Sequence, residues 1–122
     1  MMKDVLPALM NLEDWKRVKA PLAAIKKLSA QRKLKLLVVV FPTQFEVYPG
    51  YAFAEPRRTI HAMLNELAIP FVDLREAFSA GGGDALFPFR SDTSHPGREG
   101  YAIAARETAA ALKRLGWLGA AR

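Results

Sequence analysis

The chain contains 122 residues, 51% of them hydrophobic and 25% charged, with a formal net charge of +6, values typical of one globular domain. It has no cysteine, which excludes disulfides, thiolate metal sites and cysteine nucleophiles. No apolar run reaches the roughly 18 residues of a membrane span, and the first residues lack a secretory pattern, so a cytoplasmic location is the default expectation.

The first predicted helix follows Asn11, a plausible N-cap, and ends around Ala30-Gln31. Its apolar residues recur every three or four positions, which marks one buried face: Trp15, Val18, Leu22, Ile25 and Leu28. Pro21 lies inside the pattern and is expected to break or kink the helix near Lys19-Ala20.

Most of the positive charge lies on this helix and the loop that follows it. Clustered cations can bind nucleic acid by releasing counterions from the phosphate backbone. No aromatic residues are interleaved with them for base stacking, so we expect a solvated surface and no nucleic-acid partner. The cluster comprises Lys16, Arg17, Lys19, Lys26, Lys27, Arg32, Lys33 and Lys35.

Two apolar segments predict parallel strands. Leu34 to Phe41 is an almost unbroken aliphatic run, typical of a strand that is covered on both faces, and residues 71–74 predict a second, shorter strand. Between them lie an irregular aromatic loop, 44–55, and a helix that begins at Pro56. That helix has an apolar stripe of Ile60, Met63, Leu64 and Leu67.

The C-terminal third predicts a short helical segment, residues 74–80, closed by Gly81-Gly82-Gly83. Asp73 is expected to cap its first turn. A loop, 90–97, then leads to a final helix over 98–115, with Gly116 as its stop signal. The expected buried face of the final helix is Tyr101, Ala104, Ala105, Thr108, Leu112 and Leu115.

Alternation of helices and strands predicts an α/β fold with a parallel sheet, formed by a single domain over 1–122. A strand as apolar as the first requires neighbours on both edges, and one companion strand cannot supply them. We therefore expect the chain to be the C-terminal part of a larger sheet, and to self-associate through its open strand edge.

Asp92 and His95 are the candidate catalytic residues. A carboxylate three residues before an imidazole can hydrogen-bond it, fix its tautomer and stabilise the imidazolium during proton transfer. The other ring nitrogen is then available to a hydroxyl nucleophile. Alternatively, Asp92 caps nearby amides and His95 is a polar surface residue.

The segment from Asp92 to Ala105 resembles the last sequence block of the SGNH (GDSL-type) hydrolase superfamily. That block reads Asp-x-x-His-x-x-x-x-Gly-[Tyr/His] and precedes an alanine-rich helix, and Asp92, His95, Gly100 and Tyr101 stand at matching positions. The resemblance covers roughly residues 14 to 115. It implies a three-layer α/β/α, flavodoxin-like fold and the hydrolysis of carboxylic esters, with His95 as general base and Asp92 as its orienting residue.

The chain departs from this family in one decisive respect. Members attack the acyl carbon with the serine of a Gly-Asp-Ser block, and no such block occurs in the 122 residues. The serines present, Ser29, Ser79, Ser91 and Ser94, do not follow an early strand. The prediction is therefore an esterase fragment that is inactive alone and acts on a small-molecule or polysaccharide acyl ester when an upstream segment completes it.

Other features predict no cofactor or metal. The three glycines follow a helix and do not join a strand to a helix, so a flexible loop is expected in place of a phosphate cradle. Asp73, Asp92 and His95 would give zinc a single nitrogen ligand. The aromatic loop 45–53 either lines a ligand pocket or covers the core. Alternatives to an esterase are a non-catalytic interaction module and a basic nucleic-acid-binding protein.

Overall fold

A computed structural model describes residues 12–48, 55–89 and 91–119. Over these residues the protein is a mixed α/β structure with a two-stranded parallel sheet, which confirms the predicted α/β class. The elements in chain order are α1 (Leu12–Gln31), β1 (Val38–Val40), a first 3-10 helix (Gln44–Val47), α2 (Glu55–Glu66), β2 (Phe71–Asp73), α3 (Arg75–Ala80), a second 3-10 helix (Gly83–Leu86) and α4 (Arg98–Arg114). Among the described residues, no helix is both long and apolar enough to cross a membrane.

Helix α1 ends where the sequence predicts and is not broken at Pro21, so of the two outcomes expected there, a break or a kink, the break is wrong. The helix is continuous from Leu12 to Gln31 with Pro21 inside it. Proline removes one hydrogen bond, the one its missing N–H would donate to the carbonyl of Arg17, and the turns on either side retain theirs. The predicted cap, Asn11, lies outside the described residues.

Strand β1 is shorter than the predicted 34–41. Only Val38–Val40 are paired, and all three are half-buried, so the expected burial on both faces is also wrong. Leu34 is 62% exposed. Its position before the pairing begins explains the difference, because an apolar run becomes a buried strand only where a neighbour and a covering layer exist.

The contacts divide the chain into two compact units. The first comprises residues 1–38 and 52–70. Of the stripe predicted for α2, Met63 and Leu64 are buried, whereas Ile60 and Leu67 are half-buried. Ile69, which follows the helix, is buried as well. Lys19 and Glu66 form an exposed ion pair at 2.6 Å. The ammonium group of Lys26 donates to the carbonyl of Ala68.

The second unit, residues 39–51 and 71–122, has its own apolar core. Leu74 and Phe78 are fully buried, and the ring of Phe78 meets Phe41 edge to face at 6.2 Å and Phe87 at 6.2 Å. The core residues are Val47, Leu74, Phe78, Leu86, Phe87, Ile103 and Ala104. This core supports the loop that carries Asp92 and His95.

The buried face of α4 differs from the predicted face. Gly100, Ile103, Ala104 and Ala111 are buried, whereas Tyr101 is 49% exposed and Ala105 is exposed. Ala104 is therefore predicted correctly, whereas Gly100 and Ile103 were not expected to be buried. Pro96 and Phe78 pack closely against Gly100, where an added Cβ would stand 2.5 Å from the proline. The end of the helix agrees with the prediction, since Gly116 has a φ of 70°.

Candidate functional site

The loop before α4 is organised by the carboxylate of Asp92. Its Oδ1 accepts hydrogen bonds from the backbone N–H of Ser94 at 3.2 Å and of His95 at 3.1 Å. A short acidic side chain that accepts from amides two and three residues ahead closes a compact turn. The turn places the ring of His95 over the same carboxylate.

Asp92 and His95 are in direct contact through their side chains. Nδ1 of His95 lies 2.9 Å from Oδ2 and 3.0 Å from Oδ1 of Asp92. Because a carboxylate only accepts hydrogen bonds, Nδ1 carries the hydrogen and donates it. In the neutral ring, Nε2 then holds the lone pair that a general base needs.

The exposure of the pair suits an accessible base. The side chain of His95 is 71% exposed and that of Asp92 is 40% exposed. Among the described residues, Nε2 of His95 has no hydrogen-bond partner. The site therefore exposes Nε2 of His95 to an incoming group, while Nδ1 on the other side of the ring is hydrogen-bonded to the Asp92 carboxylate.

The pKa of the Asp92 carboxyl is lowered from its ordinary value of 3.8. The first cause is its hydrogen bond with the His95 side chain, and the next is the bond from the Ser94 amide. Each of these contacts favours the charged carboxylate. Asp92 thus stays ionised at neutral pH, as the orienting partner of a proton-accepting imidazole must.

Ser94 lies on the same side of the His95 ring as the Asp92 carboxylate. Its Oγ lies 3.2 Å from Asp92 Oδ1 and 3.2 Å from His95 Nδ1. A nucleophile in this type of site must instead reach Nε2. The hydroxyl of Ser29 is also engaged elsewhere, because it donates to the carbonyl of Ile25 within α1.

Both ends of the site loop are held by backbone bonds. The N–H of Gln44 donates to the carbonyl of Thr93 at 2.7 Å, and the N–H of Gly97 donates to the carbonyl of Leu86 at 2.7 Å. Pro96, which lies between Thr93 and Gly97 in the sequence, is buried. His95 therefore projects from a loop that is fixed on either side, which limits its movement without restricting access to its ring.

A cavity of about 480 Å³ lies beside Thr93 in the same unit, and we call it the Gln44 pocket. It is lined by residues of both 3-10 helices and of the site loop, among them Gln44, Phe45, Tyr48, Asp84, Phe87 and Thr93. This volume falls within the roughly 300–1,000 Å³ of small-molecule sites. The predicted alternatives for the aromatic loop are thus partly resolved, because Phe45 and Tyr48 line a pocket. Phe53 lies outside the described residues.

Sequence reasoning singled out Asp92 and His95 and offered a ligand pocket as one alternative for the aromatic loop, but it did not place Gln44, Asp84 or Thr93 in such a pocket. Gln44 lies three residues after the end of the first predicted strand, and the end of a parallel strand is the usual place for ligand-binding residues, so a sequence signal for Gln44 was available. Asp84 lies in the pocket wall because the backbone turns at the glycines before it, where Gly83 has a φ of 61°. That geometry has no distinct sequence signature.

Asp73 does what the sequence predicts, since its Oδ1 accepts from the N–H of Arg75 at 2.9 Å at the start of α3. Within the described ranges, no group of three or more histidine or acidic residues is arranged to hold a metal ion.

Comparison with models of known protein families gives no match, and neither curated proteins nor solved structures give one.

Proposed function

We propose that this chain supplies the acid–base half of an SGNH-type serine esterase. His95 is the general base and Asp92 orients it. The observation that carries the proposal is the paired contact of both Asp92 oxygens with Nδ1 at 2.9 and 3.0 Å. This contact leaves Nε2 as the only ring nitrogen that can take a proton from a nucleophile.

The chemistry is acyl transfer through a serine hydroxyl. The serine oxygen forms a bond to the acyl carbon while its proton moves to Nε2 of His95. The bond to the leaving alcohol breaks, and the alcohol takes that proton. Water then attacks the acyl-enzyme with His95 again as base, which releases the acid and regenerates the serine.

The serine comes from a second polypeptide segment in this proposal. The 122 residues contain no Gly-Asp-Ser block, and Ser94 lies on the Nδ1 side of His95. We propose that the segment also completes a flavodoxin-like sheet of about five parallel strands, with β1 and β2 as the last two. Two features support this: the sheet has two strands among the described residues, and β1 is only half-buried.

The first experiment measures hydrolysis of a short-chain aryl ester by the purified chain. We expect no turnover above buffer, because a base without a hydroxyl to activate has no covalent route to the product. Robust turnover that His95→Ala abolishes would show that a serine within the chain is sufficient, and would contradict the two-segment proposal.

The second experiment adds the polypeptide encoded immediately upstream of Met1, co-expressed with the chain. We expect ester turnover, together with labelling of its serine by a fluorophosphonate probe. His95→Ala should lower kcat by at least about 10²-fold. His61→Gln, which changes the only other histidine, is the matched control and should retain activity.

An upstream sequence without a Gly-Asp-Ser block contradicts the proposal. So does a stable complex that shows neither turnover nor labelling, or one whose turnover survives His95→Ala. These results would favour the interaction module, in which Asp92 and His95 have no chemical role.

A further inference from the structure

We propose that Ser94 is a positioning residue for the acid–base pair: its hydroxyl holds the Asp92 carboxylate in the plane from which Oδ2 receives the Nδ1–H of His95. The effect of Ser94 on turnover rests on the proposed function. Its effect on the His95 ring is a property of this chain and can be measured without any reaction.

The two oxygens of Asp92 make different contacts. Oδ1 accepts from the backbone N–H of Ser94 at 3.2 Å, from the backbone N–H of His95 at 3.1 Å and from the hydroxyl of Ser94 at 3.2 Å. Within the part of the chain that the structure describes, the contact of Oδ2 is with Nδ1 of His95, at 2.9 Å. One oxygen therefore anchors the carboxylate to the loop, and the other faces the ring.

The carboxylate needs such anchoring because the torsion that turns it has only a broad preference of its own. The two amides belong to the turn of the backbone. The Ser94 hydroxyl differs from them, since its Oγ also lies 3.2 Å from Nδ1 of His95. Rotation of the carboxylate away from the ring would break the hydrogen bond from this hydroxyl, so the hydroxyl opposes that rotation.

The direction of the Ser94 hydroxyl proton follows from its two neighbours. The hydroxyl has one hydrogen to donate, and Oδ1 of Asp92 and an unprotonated Nδ1 would both accept it. The charged carboxylate is the stronger acceptor, so the proton points to Oδ1 and a lone pair of Oγ faces Nδ1. That lone pair attracts an Nδ1–H and repels a lone pair on Nδ1. Ser94 therefore favours the tautomer in which Nε2 is the base.

The pKa of the Asp92 carboxyl reflects the same contact. It is lowered first by the hydrogen bond with the His95 side chain and next by the Ser94 amide, and the Ser94 hydroxyl lowers it further. A donor lowers the pKa of a carboxyl because it favours the charged form. The hydroxyl thus supports the ionised carboxylate that the ring contacts.

The exposure of the pair limits the size of the effect. The side chain of His95 is 71% exposed and that of Asp92 is 40% exposed, so water competes for their contacts. A water molecule that replaces the hydroxyl can donate to Oδ1, but it is not tied to the loop and does not fix the carboxylate plane. One hydrogen bond of this kind changes an equilibrium about fivefold.

The test is long-range proton–nitrogen NMR of the purified chain, which reports the tautomer of the neutral His95 ring. In Ser94→Ala the ratio of the Nδ1–H tautomer to the Nε2–H tautomer should fall about fivefold. Ser94→Thr keeps the hydroxyl and adds a methyl group at an exposed residue, so it should keep the wild-type ratio. An unchanged ratio in Ser94→Ala, or an equal fall in Ser94→Thr, overturns the proposal.

The matched control is Ser91→Ala, the same substitution at another exposed serine of this loop. Among the described residues, Ser91 has no contact with Asp92 or His95, so the tautomer ratio should stay at its wild-type value. A fall in Ser91→Ala equal to that in Ser94→Ala would indicate a general loosening of the loop and would contradict a specific role for Ser94.

Carbon NMR of the Asp92 carboxyl gives a second readout. Ser94→Ala should raise the pKa of this carboxyl towards its ordinary value, whereas Ser94→Thr should leave it as in the wild type. A pKa that is the same in Ser94→Ala and the wild type contradicts the bond from the hydroxyl to Oδ1.

The completed complex of the proposed function shows whether the positioning matters for turnover. Ser94→Ala should lower kcat about fivefold and leave KM unchanged, because the orientation of the base affects proton transfer and not the binding of the ester. Ser94→Thr and Ser91→Ala should both retain the wild-type kcat. A raised KM with unchanged kcat in Ser94→Ala contradicts a positioning role.

The two proposals fail in different ways. A tautomer ratio that depends on Ser94, with no esterase activity in the completed complex, contradicts the proposed function alone. Esterase activity that requires His95, with a tautomer ratio that does not change in Ser94→Ala, contradicts the role of Ser94 alone.

Discussion

Gly100 packs directly against Pro96, so closely that an added Cβ would stand 2.5 Å from the Cβ of the proline and 3.5 Å from the ring of Phe78. Pro96 follows His95, and Gly100 lies in the first turn of α4. The glycine thus lets the loop that carries the base fold back onto the helix and the core. This contact gives a physical reason for a glycine five residues after the histidine.

Gly100→Ala should destabilise the protein by about 1–3 kcal/mol, because the methyl group overpacks a site walled by a rigid proline ring. It should also shift the NMR signals of the His95 ring. Urea unfolding measures the first effect. The matched control is Gly119→Ala, since nothing lies within 4 Å of the Cβ it would add. Equal stability of the two variants would contradict the packing account.

The carboxyl of Asp92 should titrate below 3.8, because the His95 side chain and the Ser94 amide hold its pKa down. Because the pKa of this carboxyl is lower in the folded protein than in the unfolded protein, the charged carboxylate stabilises the fold fully at pH values above its unfolded-state pKa. This contribution is lost as the pH falls through its folded-state pKa. Carbon NMR of the Asp92 carboxyl measures the midpoint. In the His95→Ala variant the midpoint should move up towards the ordinary value. An unchanged midpoint in this variant would contradict the contact between Asp92 and His95.

Gly83→Ala and Gly116→Ala separate backbone strain from crowding. Both glycines have left-handed backbones, with φ of 61° and 70°, and alanine there costs about 1 kcal/mol. An added Cβ at Gly83 would also meet the carbonyl oxygen of Val47 at 3.3 Å, whereas Gly116 has open space. We expect about 2 kcal/mol for Gly83→Ala and about 1 kcal/mol for Gly116→Ala in urea unfolding. The reverse order would be inconsistent with this geometry.

Self-association remains a prediction of the open strand edge. The predicted buried face of α1 is wrong at three positions, whose exposed apolar side chains add to this prediction: Val18, Ile25 and Leu28. Sedimentation should show a mass that rises with concentration. Ile25→Lys should reduce this association because it adds a charge among the three, while Ala30→Lys adds the same charge elsewhere on α1 and should not. A monomer at all concentrations would show that these apolar surfaces do not associate.

The sequence predicted those parts of the fold that depend on local pattern. The end of α1, the apolar stripe of α2 and the cap provided by Asp73 each follow from periodicity or from a single short-range hydrogen bond. Asp92 and His95 were found for the same reason, because their contact lies within one turn of chain.

The predictions that were wrong concern features that depend on packing between residues far apart in the sequence. Leu34 is as apolar as a strand residue, but no neighbour pairs with it. In α4, Gly100 packs directly against Pro96 and Phe78, and Ile103 is buried while Tyr101 is half exposed. The Gln44 pocket brings Gln44 together with Asp84 and Thr93, which lie about forty to fifty positions further along the chain. No periodic sequence pattern predicts that residues so far apart are close in space.

The most direct test of the central claim is the tautomer of His95, read from long-range proton–nitrogen NMR at a pH where the ring is neutral. We predict a hydrogen on Nδ1 and a lone pair on Nε2, with Asp92→Asn weakening that preference. A wild-type ring protonated on Nε2 would contradict the account, because the nitrogen that faces solvent would then be unable to accept a proton from any nucleophile.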